Sequence, residues 1–319
     1  MLKAEQSDKE FIYALLATIE PKLYKAFIQA VNQLRDEALI EDLAKLIQSG
    51  DIDSALTLVQ KTINNFTTDV VGFYSMAGAA TADSISRLLT VRVSFDQTNY
   101  RAVRMMQAAK LRLIQGLNED QRVALRTTLT SGVARGINPK QQARELGNLL
   151  GLNAKQIEAV DNYRRLLEMN SAASLNRTLR DRRFDPTVEN SVRTGNGLTN
   201  DQIERIVARY ASRQLDYRAK MIARTEAMRA VNEASEEAFR QAIDAGDIDE
   251  SKLKRTWVTA QDERVRGSHR SMNGQVRSLD TPFVSGDGYN LRYPGDYNAP
   301  ASEVIHCRCI VITTFRETS

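Results

Sequence analysis

The stretch DAGDIDESKLKRTWVT, residues 244–259, divides the sequence into two kinds of pattern. Upstream of it, apolar residues recur at three- and four-residue spacing, as amphipathic helices require. Asp244-Ala245-Gly246 ends the last such run, because glycine readily takes the left-handed conformation that closes a helix. Downstream, Thr256-Trp257-Val258-Thr259 reads as a strand, and apolar runs become short. Pro21, Pro139 and Pro186 are the only prolines before this point; the other three of the six follow it.

Working back from the division, Thr199 and Gln202 mark a helix start whose pattern runs through Ile203, Ile206 and Val207 to Ile243. Segment 171–198, with RTLRDRRFDP and RTGNG, is polar and reads as a loop or hinge. Asn153 with Gln156, and Asn138-Pro139 before 140–150, mark two more helix starts. Further helices are predicted over 118–131, 100–115, 69–89, 54–62 and 39–46. At the N-terminus, Ser7 and Glu10 form a capping-box pair. Ile12, Leu15, Ile19, Leu23, Phe27 and Val31 follow at helical spacing, with Pro21 predicting a kink or two helices. Working forward, Gly274–Arg277 reads as a short strand, 280–303 as mostly loop, and IVITTF (310–315) as the strongest strand.

The predicted fold is mainly α with a small α+β C-terminal domain. An elongated helical region over 1–198, with its hinge at 171–198, precedes a domain over 199–319 that carries a short antiparallel sheet. Trp257, the only tryptophan, is expected to be buried between the long helix and that sheet.

With 42% hydrophobic and 26% charged residues, the 319-residue chain has globular composition. Two cysteines exclude a disulfide scaffold and suit a reducing compartment. No apolar run reaches the roughly 18 residues of a membrane span. The opening MLKAEQSDKE lacks the pattern of a secretory signal, so a soluble cytoplasmic product is expected. The net charge of +4 is uneven: residues 1–95 carry 9 basic and 12 acidic groups, and arginine dominates the rest. Arginine forks match phosphate, so double-stranded DNA bound without sequence specificity is one reading. A solvated, ion-paired helix surface is the other.

Cys307-Arg308-Cys309 puts two thiols on one side of an extended segment and Arg308 on the other. A zinc site there takes His269 as third ligand and Asp262 as candidate fourth; without metal the thiols are small core groups. Arg224, Glu226, Arg229 and Asn232 lie on one helix, as a charged face or as a polar network docking that helix on the sheet. In the second case Asp262 pairs with Arg224 or Arg308 in a buried tie, and His269 faces the thiols. There is no Walker loop, G-x-G-x-x-G or G-x-S-x-G.

ARTEAMRAVNEA (223–234), RTWVTAQDERVRGSHRSMNGQV (255–276) and EVIHCRCIVITTF (303–315) together resemble the phage head morphogenesis proteins, the Mu F-like or SPP1 gene-7-like minor head family. The order Trp, Asp, Arg, His, Asn-Gly, then Phe283, Pro294 and Cys-Arg-Cys carries the resemblance. VSFDQTNYRAV (93–103) and GINPKQQARELG (136–147) extend it more loosely into the helical part. Many relatives have cysteine where this chain has Arg266 and His269, and His-Pro-Asn where it has Val304-Ile305-His306, so a four-cysteine metal site cannot form here. The resemblance implies a virion protein of the head interior or portal vertex, made in the host cytoplasm. It implies the portal protein as partner, then major capsid or scaffolding protein, with no membrane and no catalysis. An ADP-ribosyltransferase-like or toxin-associated enzyme is the rival reading, with Arg224, Ser302 and Glu303 as its nominees. A DNA-binding module is the third.

Overall fold

The computed structural model describes residues 2–89 and 92–315, with side chains for all of these except 2–8 and 62–65. The helices are α1 (Leu2–Gln33), α2 (Glu37–Ser49), α3 (Ile52–Leu89), α4 (Tyr100–Arg135), α5 (Pro139–Leu149), α6 (Ala154–Glu168), α7 (Asp185–Thr194) and α8 (Asn200–Asp244). A C-terminal module follows, with β1 (Leu253–Val258), the one-turn helix α9 (Gly267–Arg270), and the two-residue strands β2 (Val276–Arg277), β3 (Phe283–Val284) and β4 (Asn290–Leu291). The one-turn helix α10 (Ala301–Val304) and β5 (Ile310–Phe315) complete it. The protein is mainly α with a small antiparallel sheet at its C-terminal end.

Several helices are longer than their sequence signals. α1 begins at Leu2, upstream of Ser7, whose side chain lies outside the described residues, and it continues through Pro21 as one element. The runs 54–62 and 69–89 are one helix, α3, and 100–115 and 118–131 are one helix, α4. Nothing between the paired runs breaks a helix: a lone Gly116 costs only about 1 kcal/mol, and Phe66 packs edge-on against Phe27 at 5.3 Å. Segment 171–198 is not the loop it was expected to be. It holds two 3-10 turns and α7, because its charges pair with one another and with α8. Asp181 is buried and accepts from Arg183 and Arg209, with Arg213 at 3.4 Å. Those cations hold its carboxyl well below the usual range: the Arg183 bond is the largest cause, and burial opposes it.

The chain forms two compact units. One comprises residues 27–67 and 112–220. Within it, α5 starts at Asn138, whose side chain accepts from the Gln141 N–H, and α6 starts with a full Asn153/Gln156 capping box. Gly151 has φ +82°, and a Cβ there would lie 2.7 Å from Val31 Cγ2 and 2.9 Å from Leu215 Cδ1. Only glycine satisfies both the backbone and this close approach.

The other unit comprises residues up to 26, 68–111 and 221–319. α8 ends in a Schellman turn: Gly246 N–H donates to Ile243 O, and Asp247 N–H to Ala242 O, with Gly246 at φ +79°. The chain then returns as β1, which pairs antiparallel with β5 along its length and with β2 at Arg255 and Thr256. Period-2 alternation sends Leu253, Arg255 and Trp257 to one buried face. Leu253 packs with Phe239 and Ala242 of α8. Trp257 is fully buried, as expected, but its apolar cluster draws on Met272, Phe283, Leu291, Ala299, Val304 and the two cysteines rather than on α8.

Gly151→Ala is expected to destabilise the protein by about 2–4 kcal/mol, combining left-handed strain with overpacking. Urea unfolding measures it; an unchanged midpoint means the 150–153 turn repacks without cost.

Candidate functional site

The residues that carry chemistry in the C-terminal module fall into three sets. The first lies along one face of α8, where positions 226, 229, 232, 236 and 240 share a face at three- and four-residue spacing. Glu226 accepts from Arg229 Nη1 at 2.6 Å, and Arg229 Nε donates to Gly295 O at 3.0 Å. Asn232 Nδ2 donates to Pro294 O at 3.2 Å and to Met228 O at 2.8 Å. Glu236 accepts from Arg292, and Arg240 reaches Asp280 at 2.7 Å. Segment 292–295 therefore runs antiparallel along α8, read one contact at a time. Arg224 is outside this set: it faces Glu20 at 3.8 Å, and its buried Nε has no acceptor among the described residues.

Against the α8 face lies Arg255 of β1, 3% exposed. Its Nε and Nη2 donate to Ser278 O at 3.2 and 2.9 Å, and Nη2 also donates to Thr281 O at 2.9 Å. Nη1 donates to Arg292 O at 3.0 Å and to Glu236 Oε2 at 3.3 Å. The guanidinium also lies over the Phe283 ring, 5.3 Å from its centroid. Burial lowers the pKa of Arg255 and Glu236 opposes that shift, with Arg292 and Arg240 adding repulsion. Glu236 thus serves three arginines: Arg240, Arg255 and Arg292. Sequence reasoning missed this pair. The signal was present, since an arginine between Leu253 and Trp257 in alternation must point inward.

The second set is Asp262 with Arg308. Arg308 Nη2 donates to Asp262 Oδ1 at 2.5 Å, and Nη1 donates to Oδ2. Arg308 is the partner Asp262 takes. The pair is at the surface, however, not the buried tie expected, and neither Arg224 nor a metal ligand set includes Asp262.

The third set surrounds His269, which is 1% exposed. Arg266 fixes the entry to this region by donating to the carbonyls of Glu303 and Ile305. His306, at φ 59°, turns the chain from α10 into Cys307-Arg308-Cys309, which precedes β5 rather than lying within it. His269 Nδ1 lies 3.5 Å from both Cys307 Sγ and Cys309 Sγ. Its Nε2 meets Glu303 Oε2 at 2.9 Å, and Ser268 Oγ donates to the same oxygen at 3.2 Å. The Cys309 thiol beside it is the largest cause pulling the Cys307 pKa well down, with His269 adding to it against burial, while Cys309 is pushed up. Burial opposes protonation of His269, but Cys307 and Glu303 outweigh it and raise its pKa. His269, Cys307 and Cys309 are the described residues whose ligand atoms cluster closely enough to hold a metal. The thiols are buried, so they are poorly placed to attack an external substrate.

The contrast between the two acid–arginine sets is measurable. Glu236→Ala strands a buried guanidinium and should cost about 3–5 kcal/mol, read as a drop in urea midpoint. Asp262→Ala frees a surface arginine into water and should leave the midpoint near wild type.

All three sets fall within the span matched by sequence comparison. The family model described as Phage Mu protein F like protein matches residues 123–312, more than half of the chain. No curated protein and no solved structure matches the chain. The chain belongs to the Phage Mu protein F like family and is a minor head protein of phage head morphogenesis.

Proposed function

We propose that the protein acts at the portal vertex of the assembling head, present in few copies and bound to the portal protein. The observation that carries this reading is the family match over residues 123–312. That span contains the α8 docking face, the Arg255 hub and the Cys-Arg-Cys segment. The chemistry of the module supports a structural role. The glutamate nominated for ADP-ribosyl transfer, Glu303, is buried and held by His269 and Ser268, while Arg224 faces Glu20. A glutamate that stabilises a sugar cation has to reach its substrate.

The ion pairing of many arginines supports the ion-paired surface over a dedicated DNA module. Arg101 joins Glu237 and Asp244, Arg164 joins Glu204, Arg218 joins Asp120, and three arginines share Asp181. A phosphate-binding surface needs cations that are not already neutralised. Among the described residues no helix is long and apolar enough to cross a membrane.

The test is made in the phage that carries the gene. Loss of the full chain should yield heads of poor infectivity, and the purified chain should co-purify with co-expressed portal protein. Normal infectivity without it, or capture by capsid shells that lack a portal, overturns the portal assignment. NAD turnover by the purified chain favours the enzyme instead. Binding to DNA that weakens steeply with salt, without portal binding, favours the DNA module.

A further inference from the structure

We propose that His269, Cys307 and Cys309 bind one zinc ion, with Glu303 as the outer partner of His269, and that the ion is a structural staple of the C-terminal module. The three ligand atoms lie within 4.8 Å of one another. The two Nδ1–Sγ distances are both 3.5 Å. A tetrahedral ion with Zn–S of about 2.3 Å and Zn–N of about 2.0–2.1 Å has N···S edges of about 3.5–3.6 Å. Both N···S edges therefore already match such a polyhedron.

The surroundings of the donors fit the same assignment. A ligating histidine usually gives its other ring nitrogen to a carboxylate, which fixes the ring and its tautomer. Glu303 does this at Nε2, 2.9 Å away, and Ser268 orients the carboxylate in turn. The Cys309 N–H points at Cys307 Sγ from 3.4 Å, a donor suited to a thiolate. The indole N–H of the fully buried Trp257 has no hydrogen-bond partner among the described residues and belongs to the same cluster as the two cysteines. An unpartnered buried donor is costly beside neutral groups and favourable beside anionic sulfur. Two thiolates and one divalent ion balance in charge, whereas a thiolate buried alone does not.

Soft sulfur donors with imidazole select zinc over magnesium or calcium. Three protein ligands leave one of the four tetrahedral positions open. Asp262 does not fill it, being held at the surface by Arg308. The staple has a clear task. β2, β3 and β4 are two residues each, and α9 and α10 are four each. Such short elements stabilise themselves poorly, and an ion joining α9 to the segment before β5 closes the loop containing most of them.

The experiment uses the tag-free full chain, reconstituted with zinc under reducing conditions and desalted. Elemental analysis should find one zinc per chain in wild type and none in the Cys307→Ser/Cys309→Ser variant. Glu303→Gln should still bind one equivalent at saturation, with affinity lowered about 10- to 100-fold in chelator competition. Should the double variant fail to fold, cobalt loaded into wild type reads the site directly, through sulfur-to-metal charge-transfer absorption and tetrahedral ligand-field bands. Wild type that retains no metal overturns the proposal. So does equal zinc in the double variant, or cobalt spectra without sulfur ligation.

Discussion

Arg255 places all five of its N–H donors inside the protein, and the C-terminal module is organised around that requirement. A guanidinium cannot shed its charge, so burying it demands an acceptor for every proton and a counter-ion. The acceptors are the carbonyls of Ser278, Thr281 and Arg292, and the counter-ion is Glu236 of α8. Segments that lack regular secondary structure are thereby fixed to a strand and a helix that have it. Their own carbonyls, which buried loop would otherwise leave unpaired, are satisfied by the same contacts. One side chain thus addresses two problems of a loop-rich module: where the loops go, and what their backbones bind.

The helix motif around residues 224–234 gains a physical meaning from this. Glu226 orients Arg229, Arg229 holds Gly295, and Asn232 holds Pro294. Gly295 stands at φ +89°, and a Cβ there would lie 3.1 Å from Arg229 Cγ, so the backbone comes close enough to be read only because no side chain intervenes. The proline–glycine pair and the helix face are therefore one device distributed over two distant stretches of sequence.

The secondary structure was legible where its signals are local. Asn138, Asn153 and Thr199 each cap or start the helix they were assigned, and Gly246 ends α8. IVITTF forms β5. Local signals failed where the outcome depended on partners. The polar 171–198 segment looked unstructured because its charges had no visible counterparts, which proved to be one another and arginines of α8. Asp262 was expected to pair with Arg224 or Arg308 in a buried tie; it takes Arg308 at the surface, because burial is set by what covers a group, and nothing in sequence reports that. The thiols and His269 were brought together in thought by chain order, and lie together in space. Glu303 is different: its place behind His269 arises from a turn at Arg266 and a left-handed residue at His306, and neither announces itself in sequence.

The polar contacts on α8 also fix register in a way that an apolar seam does not. Leucine packed on leucine tolerates small slides, because dispersion is non-directional and cores repack. The α8 face offers donor, acceptor and charge in a set order: Glu226 with Arg229, then Asn232, Glu236 and Arg240. Against it stand Gly295, Pro294, Arg292 and Asp280. Sliding the facing segment by one residue would oppose the wrong groups at every position at once, leaving Arg255 without its Arg292 carbonyl and Asn232 without its Pro294 carbonyl. Each loss alone costs on the order of 1–3 kcal/mol for a buried group, and together they exceed what a shifted apolar contact could return. The apolar cluster around Trp257 supplies the drive to bury the module. The hydrogen-bonded face of α8 selects which single arrangement of the loops is buried, so the surfaces those loops present are held in one geometry.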